Sequence, residues 1–141
     1  MKLITFAVPC YNSESYMKKC INSLLKAGNK AEIIIVDDGS TDKTAEIADN
    51  YAVEYPKTIR VVHQENGGHG EAVNTGLKNA EGKYFKVVDS DDWLDEEALH
   101  TVIEKLEEFE EKNINLDMFI ANYVYEKVSE GTSRRMTYKS I

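Results

Sequence analysis

Asp89, Asp91 and Asp92 fall within four positions of the stretch "KVVDSDDW", directly before the chain's only tryptophan, Trp93. A second acidic pair, Asp37 and Asp38, follows the apolar run "IIIV" in "IIIVDDGSTD". Two carboxylates roughly 5 Å apart repel by about 3 kcal/mol at an effective dielectric near 20, so stacking such pairs at strand ends brings no structural gain. A divalent cation removes the difficulty, because hard oxygen ligands are what magnesium and manganese take. Magnesium-type ions use one or two carboxylates and leave positions for phosphate oxygens and water. A D-x-D at a strand end is therefore the shape expected of a metal–diphosphate site.

Each piece alone has a plainer reading. "DGSTD" is a good turn and helix start, with aspartates favoured near the positive end of a helix dipole. "DSDDW" also suits a helix-entry loop. "NGGHG" is not a dinucleotide fingerprint, which belongs after the first strand, where this chain has "PCYN". It still offers a flexible loop before a helix N-terminus, a place that can meet a phosphate. His69 within it reads as a hydrogen-bonding or packing residue rather than a metal ligand, and His63 and His100 carry no signal. Tyr11 is either a loop aromatic or a ring able to stack on a base.

The elements that must position these residues follow from periodicity. Leu3 to Val8 reads as a first strand ended by Pro9, with Asn12 or Ser13 capping a helix whose apolar stripe is Met17, Cys20, Ile21 and Leu24. Gly28 and Asn29 stop it. Ile33 to Val36 is a continuous apolar run, as in a strand covered on both faces. Ser40 or Thr41 caps a helix that buries Thr44, Ile47, Ala48 and Tyr51. Ile59 to Val62 makes a third strand, and the next helix turns Ala72, Val73, Gly76, Leu77 and Ala80 inward. Tyr84 to Val88 is a fourth strand. Asp95 opens a helix with Leu99, Val102, Ile103, Leu106 and Phe109 on one stripe; its acidic run "EKLEEFEEK" is a solvated face. Asp117 to Glu126 reads as a fifth strand, and "EGTSRR" as a turn into a last strand-like piece. This alternation predicts an α/β fold, a Rossmann-like and mostly parallel sheet with helices on both faces. In such sheets ligands bind at the carboxyl ends of the strands, where "PCYN", Asp37–Asp38, "NGGHG" and "DSDD" all fall.

The chain has 141 residues, 42% hydrophobic and 30% charged, which suits a single domain over 1–141. No apolar run approaches the roughly 20 residues of a membrane span, and the start lacks a signal-peptide pattern. Cys10 and Cys20, the two cysteines, read as reduced thiols of a cytoplasmic chain. A net charge of −8 argues against nucleic acid or an anionic membrane as partner, while leaving a cation-bridged phosphate open.

"VPCYN", "VDDGSTD", "ENGGHGEAVNTGL" and "GKYFKVVDSDDWLD", in this order, resemble the family 2 glycosyltransferases of the GT-A fold, from about Leu3 to the strand near Tyr123. The resemblance implies an inverting transferase that takes a sugar from a nucleotide-diphosphate donor, UDP-sugar foremost, to a glycan or lipid-linked acceptor in surface polysaccharide or cell-wall synthesis. It implies that Pro9, Tyr11 and Asp38 contact the base, with Tyr11 stacking, Asp38 accepting from the ring N–H and Asp37 holding the loop. Asn66 and Gly67 would lie beside the nucleotide and Asn74 near the diphosphate. Asp91 would bind Mn2+ or Mg2+, Asp89 the ribose or a metal-bound water, and Asp92 is a lesser ligand. Trp93 would either floor the donor sugar or anchor the core. The catalytic base of the family lies after the fifth strand, so it is expected beyond residue 141; Glu126 and Glu130 do not match its motif. The chain thus reads as the donor-binding part of a longer enzyme, with self-association through an uncovered sheet region expected and with the inner face of a membrane reached only through other parts. The competing reading is a non-catalytic nucleotide-binding or regulatory module. A receiver-like switch or an aspartate-nucleophile phosphohydrolase would need its acids after the first strand.

Overall fold

The computed structural model describes residues 2–111. Four strands, β1 (Ile4–Cys10), β2 (Ala31–Asp38), β3 (Ile59–Gln64) and β4 (Tyr84–Val87), alternate with helices α1 (Met17–Leu25), α2 (Thr44–Glu54), α3 (His69–Asn79) and α4 (Glu96–Glu111). All strand pairs are parallel, in the order β3-β2-β1-β4. The chain therefore steps outward from β1 to β3 and then returns to the other side of β1. The β1 and β4 carboxyl ends flank this switch, where the loops diverge and leave room for a ligand.

Side-chain alternation divides the core. Ile4, Phe6, Val8, Ile33, Ile35 and Ile59 pack with Met17, Ile21, Leu24, Leu99, Val102 and Leu106 on the face covered by α1, α2 and α4. Ile34, Val36 and Ala72 form the smaller cluster beneath α3. Both cysteines are free and buried, and burial, ahead of the nearby Asp37, pushes the Cys10 thiol up to about 12. No described helix is long and apolar enough to cross a membrane.

Three local expectations are corrected. β1 does not end at Pro9 but runs to Cys10, paired with β2. The Ala7 carbonyl accepts from the Val88 N–H on the β4 side. Two residues on, the Pro9 nitrogen lies on that same side beyond the last β4 residue, so no ladder bond is lost. Second, none of Asn12, Ser13, Ser40 or Thr41 caps a helix: α1 and α2 start after Tyr16 and Lys43 without side-chain caps. Those side chains bond between loops instead, whereas Asp95 does cap α4 by accepting from the Ala98 N–H at 2.9 Å. Third, Leu77 is 55% exposed, because α3 meets the sheet along Ala72 and Gly76, four residues apart, and Leu77 lies a step round the helix. The expected strand at Asp117–Glu126 and the "EGTSRR" turn lie outside the described residues.

The amino-terminal rim carries its own polar tie. Glu32 accepts from Thr5 Oγ1 at 2.7 Å, the Glu81 N–H at 2.8 Å and Arg60 Nη2 at 2.9 Å. Burial opposes its ionisation, but these bonds hold its carboxyl below the usual range. At the helix–sheet seam, a Cβ on Gly76 would sit 2.7 Å from the Ala7 Cβ. Gly76→Ala is expected to lower stability by about 1–2 kcal/mol, overpacking outweighing the helix-propensity gain, as read from urea unfolding.

Candidate functional site

Asp37 and Asp38 are the last residues of β2, so their side chains leave on opposite faces. Asp38, 3% exposed, receives the glycine loop. Its Oδ1 accepts from Gln64 Nε2 at 2.9 Å and the Gly67 N–H at 2.8 Å; its Oδ2 accepts from the Gly68 N–H at 3.0 Å and Asn66 Nδ2 at 3.3 Å. Burial works against its ionisation, but Gln64 and the two glycine amides outweigh it and keep the carboxyl below its ordinary value. Gly39 follows with φ +74, and a Cβ there would lie 2.6 Å from the Asn66 nitrogen. The glycine is thus required twice, by conformation and by space.

Asp37 works on the other face. Its Oδ1 accepts from the Ser40 N–H at 3.1 Å, and its Oδ2 lies 2.8 Å from His63 Nδ1. His63 Nε2 is in turn 2.8 Å from Asp49 Oδ1 on α2. An imidazolium donates to both carboxylates, a neutral ring to only one, so the bonds to Asp37 and then Asp49 raise the His63 pKa. Sequence reasoning missed this histidine. The register that places His63 opposite Asp37 is the signal, and it exists only once the strands are paired.

The β1–α1 loop is stitched to the β2–α2 loop. Asn12, in the left-handed region at φ 49, accepts from the Thr41 N–H at 2.8 Å, while its own N–H donates to Ser40 Oγ at 3.0 Å. These ties present Tyr11 at 51% exposure. Pro9, Tyr11, Asp38, Asn66 and His69 line a cleft of about 380 Å³, with Gly68 rather than Gly67 at its wall. Gly67 contributes through its bond to Asp38. From α3 the cleft takes His69 and Ala72; Asn74 is exposed farther along that helix.

Asp89, Asp91 and Asp92 form the second centre, each offering a carboxylate oxygen within 4.8 Å of the others. The Asp92 N–H donates to the Asp89 carbonyl at 2.9 Å, turning the loop so that the carboxylates converge. Burial first, then Asp91 and Asp89, raises the Asp92 pKa, with Lys86 opposing. Burial also pushes the Lys86 ammonium down to about 7 against the pull of Asp89 and Asp92. His69 Nε2 lies 2.9 Å from Asp89 Oδ1, joining the cleft to the acidic loop. Hard oxygen donors at this spacing fit a divalent cation. Trp93 is no buried anchor: it is 47% exposed, with Lys19 Nζ 3.6 Å from its ring centroid.

The chain has relatives. The profile described as Glycosyl transferase family 2 matches residues 5–137. The chain belongs to glycosyl transferase family 2. Among curated family members, it is 40% identical over 129 residues to Glycosyltransferase GlyA of Streptococcus pneumoniae, covering 91% of this chain and 18% of GlyA. It is 37% identical over 102 residues to the poly(ribitol-phosphate) beta-N-acetylglucosaminyltransferase TarS of Staphylococcus aureus, covering 70% of this chain and 18% of TarS. The crystal structure of TarS with UDP-GlcNAc superposes with a TM-score of 0.67 at 37% identity, covering 78% of this chain and 32% of that one. The mannosyltransferase PcManGT of Pyrobaculum calidifontis, solved with GDP-Man and Mn2+, gives 0.65 at 25% identity, covering 72% and 31%. The fold is that of the GT-A glycosyltransferases, and the chain spans well under half of each of these relatives.

Two outcomes are expected. Gly39→Ala, which drives a Cβ into the Asn66 backbone, lowers stability by about 1–3 kcal/mol and opens the Asp38 clamp, seen as faster amide exchange at Gly67 and Gly68. Because the folded His63 pKa lies above its unfolded value, the stabilisation from the Asp37–His63–Asp49 bridge is complete below about pH 6.5 and fades as pH rises through the folded value. The stability gap between wild type and His63→Gln is therefore larger at about pH 6 than at about pH 9 in urea unfolding.

Proposed function

We propose that the chain is the donor-binding part of a transferase that moves a sugar from a nucleoside diphosphate, UDP foremost, to an acceptor hydroxyl with inversion. The observation that carries this is the meeting of two unlike surfaces at one sheet switch: an aromatic-walled cleft at Pro9, Tyr11 and Asp38, and three convergent carboxylates joined to it by His69. A flat base fits the first, and a cation-bound diphosphate fits the second. The known ligands of TarS and PcManGT, UDP-GlcNAc and GDP-Man with Mn2+, are of this class, and the higher identity to TarS favours uridine. A role in cell-wall or surface glycan synthesis follows the same relatives.

Tyr11 stacks on the base, and the Asp38 clamp holds Asn66 and the glycine loop against it. Asp91, with Asp89 and Asp92 beside it, would hold Mn2+ or Mg2+. Such an ion, when bound, offsets the charge that grows on the departing nucleoside diphosphate. The described residues serve the donor; the base that takes the acceptor's proton is assigned to another part of the enzyme.

Calorimetry of UDP with the 141-residue chain tests the reading. Binding is expected in manganese, is lost in EDTA, and weakens at least about tenfold in Asp91→Ala, a change of about 1.4 kcal/mol. UDP at about 100 times its dissociation constant adds about 2.7 kcal/mol of stability. A folded chain that binds no nucleotide in any condition sinks the proposal, while cation-dependent binding without sugar transfer by the full-length enzyme favours a non-catalytic module.

A further inference from the structure

Ser13 and Ser90 sit in loops at the carboxyl rim, yet they are only 1% and 8% exposed. Their hydroxyl oxygens lie 2.8 Å apart across 77 positions of sequence. Ser90 is the middle residue between Asp89 and Asp91. Asp91 is exposed while Ser90 is buried beneath the acidic loop. Ser13 belongs to the other centre. Its Oγ accepts from the Tyr11 N–H at 3.1 Å and lies 3.3 Å from the Tyr11 carbonyl, and its N–H donates to Thr44 Oγ1 at 2.7 Å.

A serine hydroxyl has one proton and two lone pairs. With one lone pair of Ser13 taken by the Tyr11 amide, the proton and the other lone pair are shared among the Tyr11 carbonyl, Ser90 and the Cys10 thiol, which also meets Ser90. The backbone of the aromatic wall and the backbone of the carboxylate loop therefore meet at one buried hydroxyl pair. Neither serine reaches the cleft or the acid cluster with a charge, so neither belongs to the binding chemistry itself.

We infer that Ser13 and Ser90 are positioning residues that couple the base end of the site to the cation end through the protein. This deepens the donor-binding reading and rests on it. A cation that settles the loop at 89–92 fixes the Ser90 hydroxyl, which fixes Ser13 and with it the Tyr11 backbone. A base then stacks on a platform whose ordering is already complete, and its affinity rises. The coupling is reciprocal, so a stacked base also tightens the cation.

Uridine separates this from a phosphate–metal bridge, because it has a base and no phosphate. Its affinity is measured by NMR titration with and without Mn2+ replaced by diamagnetic Mg2+, in wild type, Ser13→Ala, Ser90→Ala and the double variant. Wild type is expected to bind uridine about fivefold more tightly with the cation. Each single variant is expected to bring that ratio close to one, and the double variant to add nothing further, since both remove the same link. Folding of every variant is checked by its amide spectrum, and UDP binding in saturating cation serves as the second measurement. Wild type that binds uridine and UDP with a ratio unchanged by either serine overturns the inference and leaves the donor reading standing. Wild type that binds neither ligand overturns both. A drop in affinity with the ratio preserved shows a merely structural role and also overturns it.

Discussion

The two-residue period of a β-strand, applied at the end of β2, sets out the rest of the site. Asp37 and Asp38 cannot point the same way, so one strand end supplies two carboxylates to two separate tasks. On the α3 face Asp38 gathers Gln64, Asn66 and two glycine amides and gives the loop its shape. On the α2 face Asp37 ties the turn at Ser40 to His63 and, through it, to Asp49. Shifting the register of β2 by one residue would exchange these partners, and the same shift would bring Ile33 and Ile35 out of the larger core. Burial of the isoleucines and assembly of the rim are thus enforced together.

The second acidic centre is built on a different compromise. Three carboxylates gather within 4.8 Å of one another, and burial first, then Asp91 and Asp89, raises the pKa of Asp92. The buried Lys86 opposes that rise, while burial lowers its own pKa to about 7. Burial displaces both Asp92 and Lys86 from their ordinary proton affinities, and each pulls the other part of the way back. A rim of this kind answers to any added positive charge.

The gross architecture was legible because the core obeys simple periods. "IIIV" between turn signals read as a strand covered on both faces, and the α4 stripe from Leu99 to Leu106 is buried where the helical period places it. The acids at 37, 38, 89, 91 and 92 stood out as like charges in a row, although Asp37 and Asp38 turn out to tie two different loops on opposite faces of β2. What escaped was pairing. His63 looked inert until β3 was laid beside β2, and Ser13 and Ser40 looked like caps because their best partners lie 77 and 28 residues away. Leu77 misled for a related reason: the glycine at 76 lets α3 approach Ala7 closely and fixes which arc of the helix meets the sheet. Local pattern reports the type of an element; it does not report which neighbour will outbid the local partner.

Pro9 sits where β4 has already parted from β1, and its ring forms part of the cleft wall together with Ala72. A strand end at such a switch ordinarily presents a free N–H to whatever occupies the opening, a natural seat for phosphate oxygens. Here that donor is missing, and the adjoining surface is carbon. The opening is consequently graded: more apolar where β1 ends, acidic where β4 ends. An elongated ligand with one aromatic end and one charged end would match that gradient in one direction only, and the proline contributes to it without leaving a gap in the sheet's own hydrogen bonding.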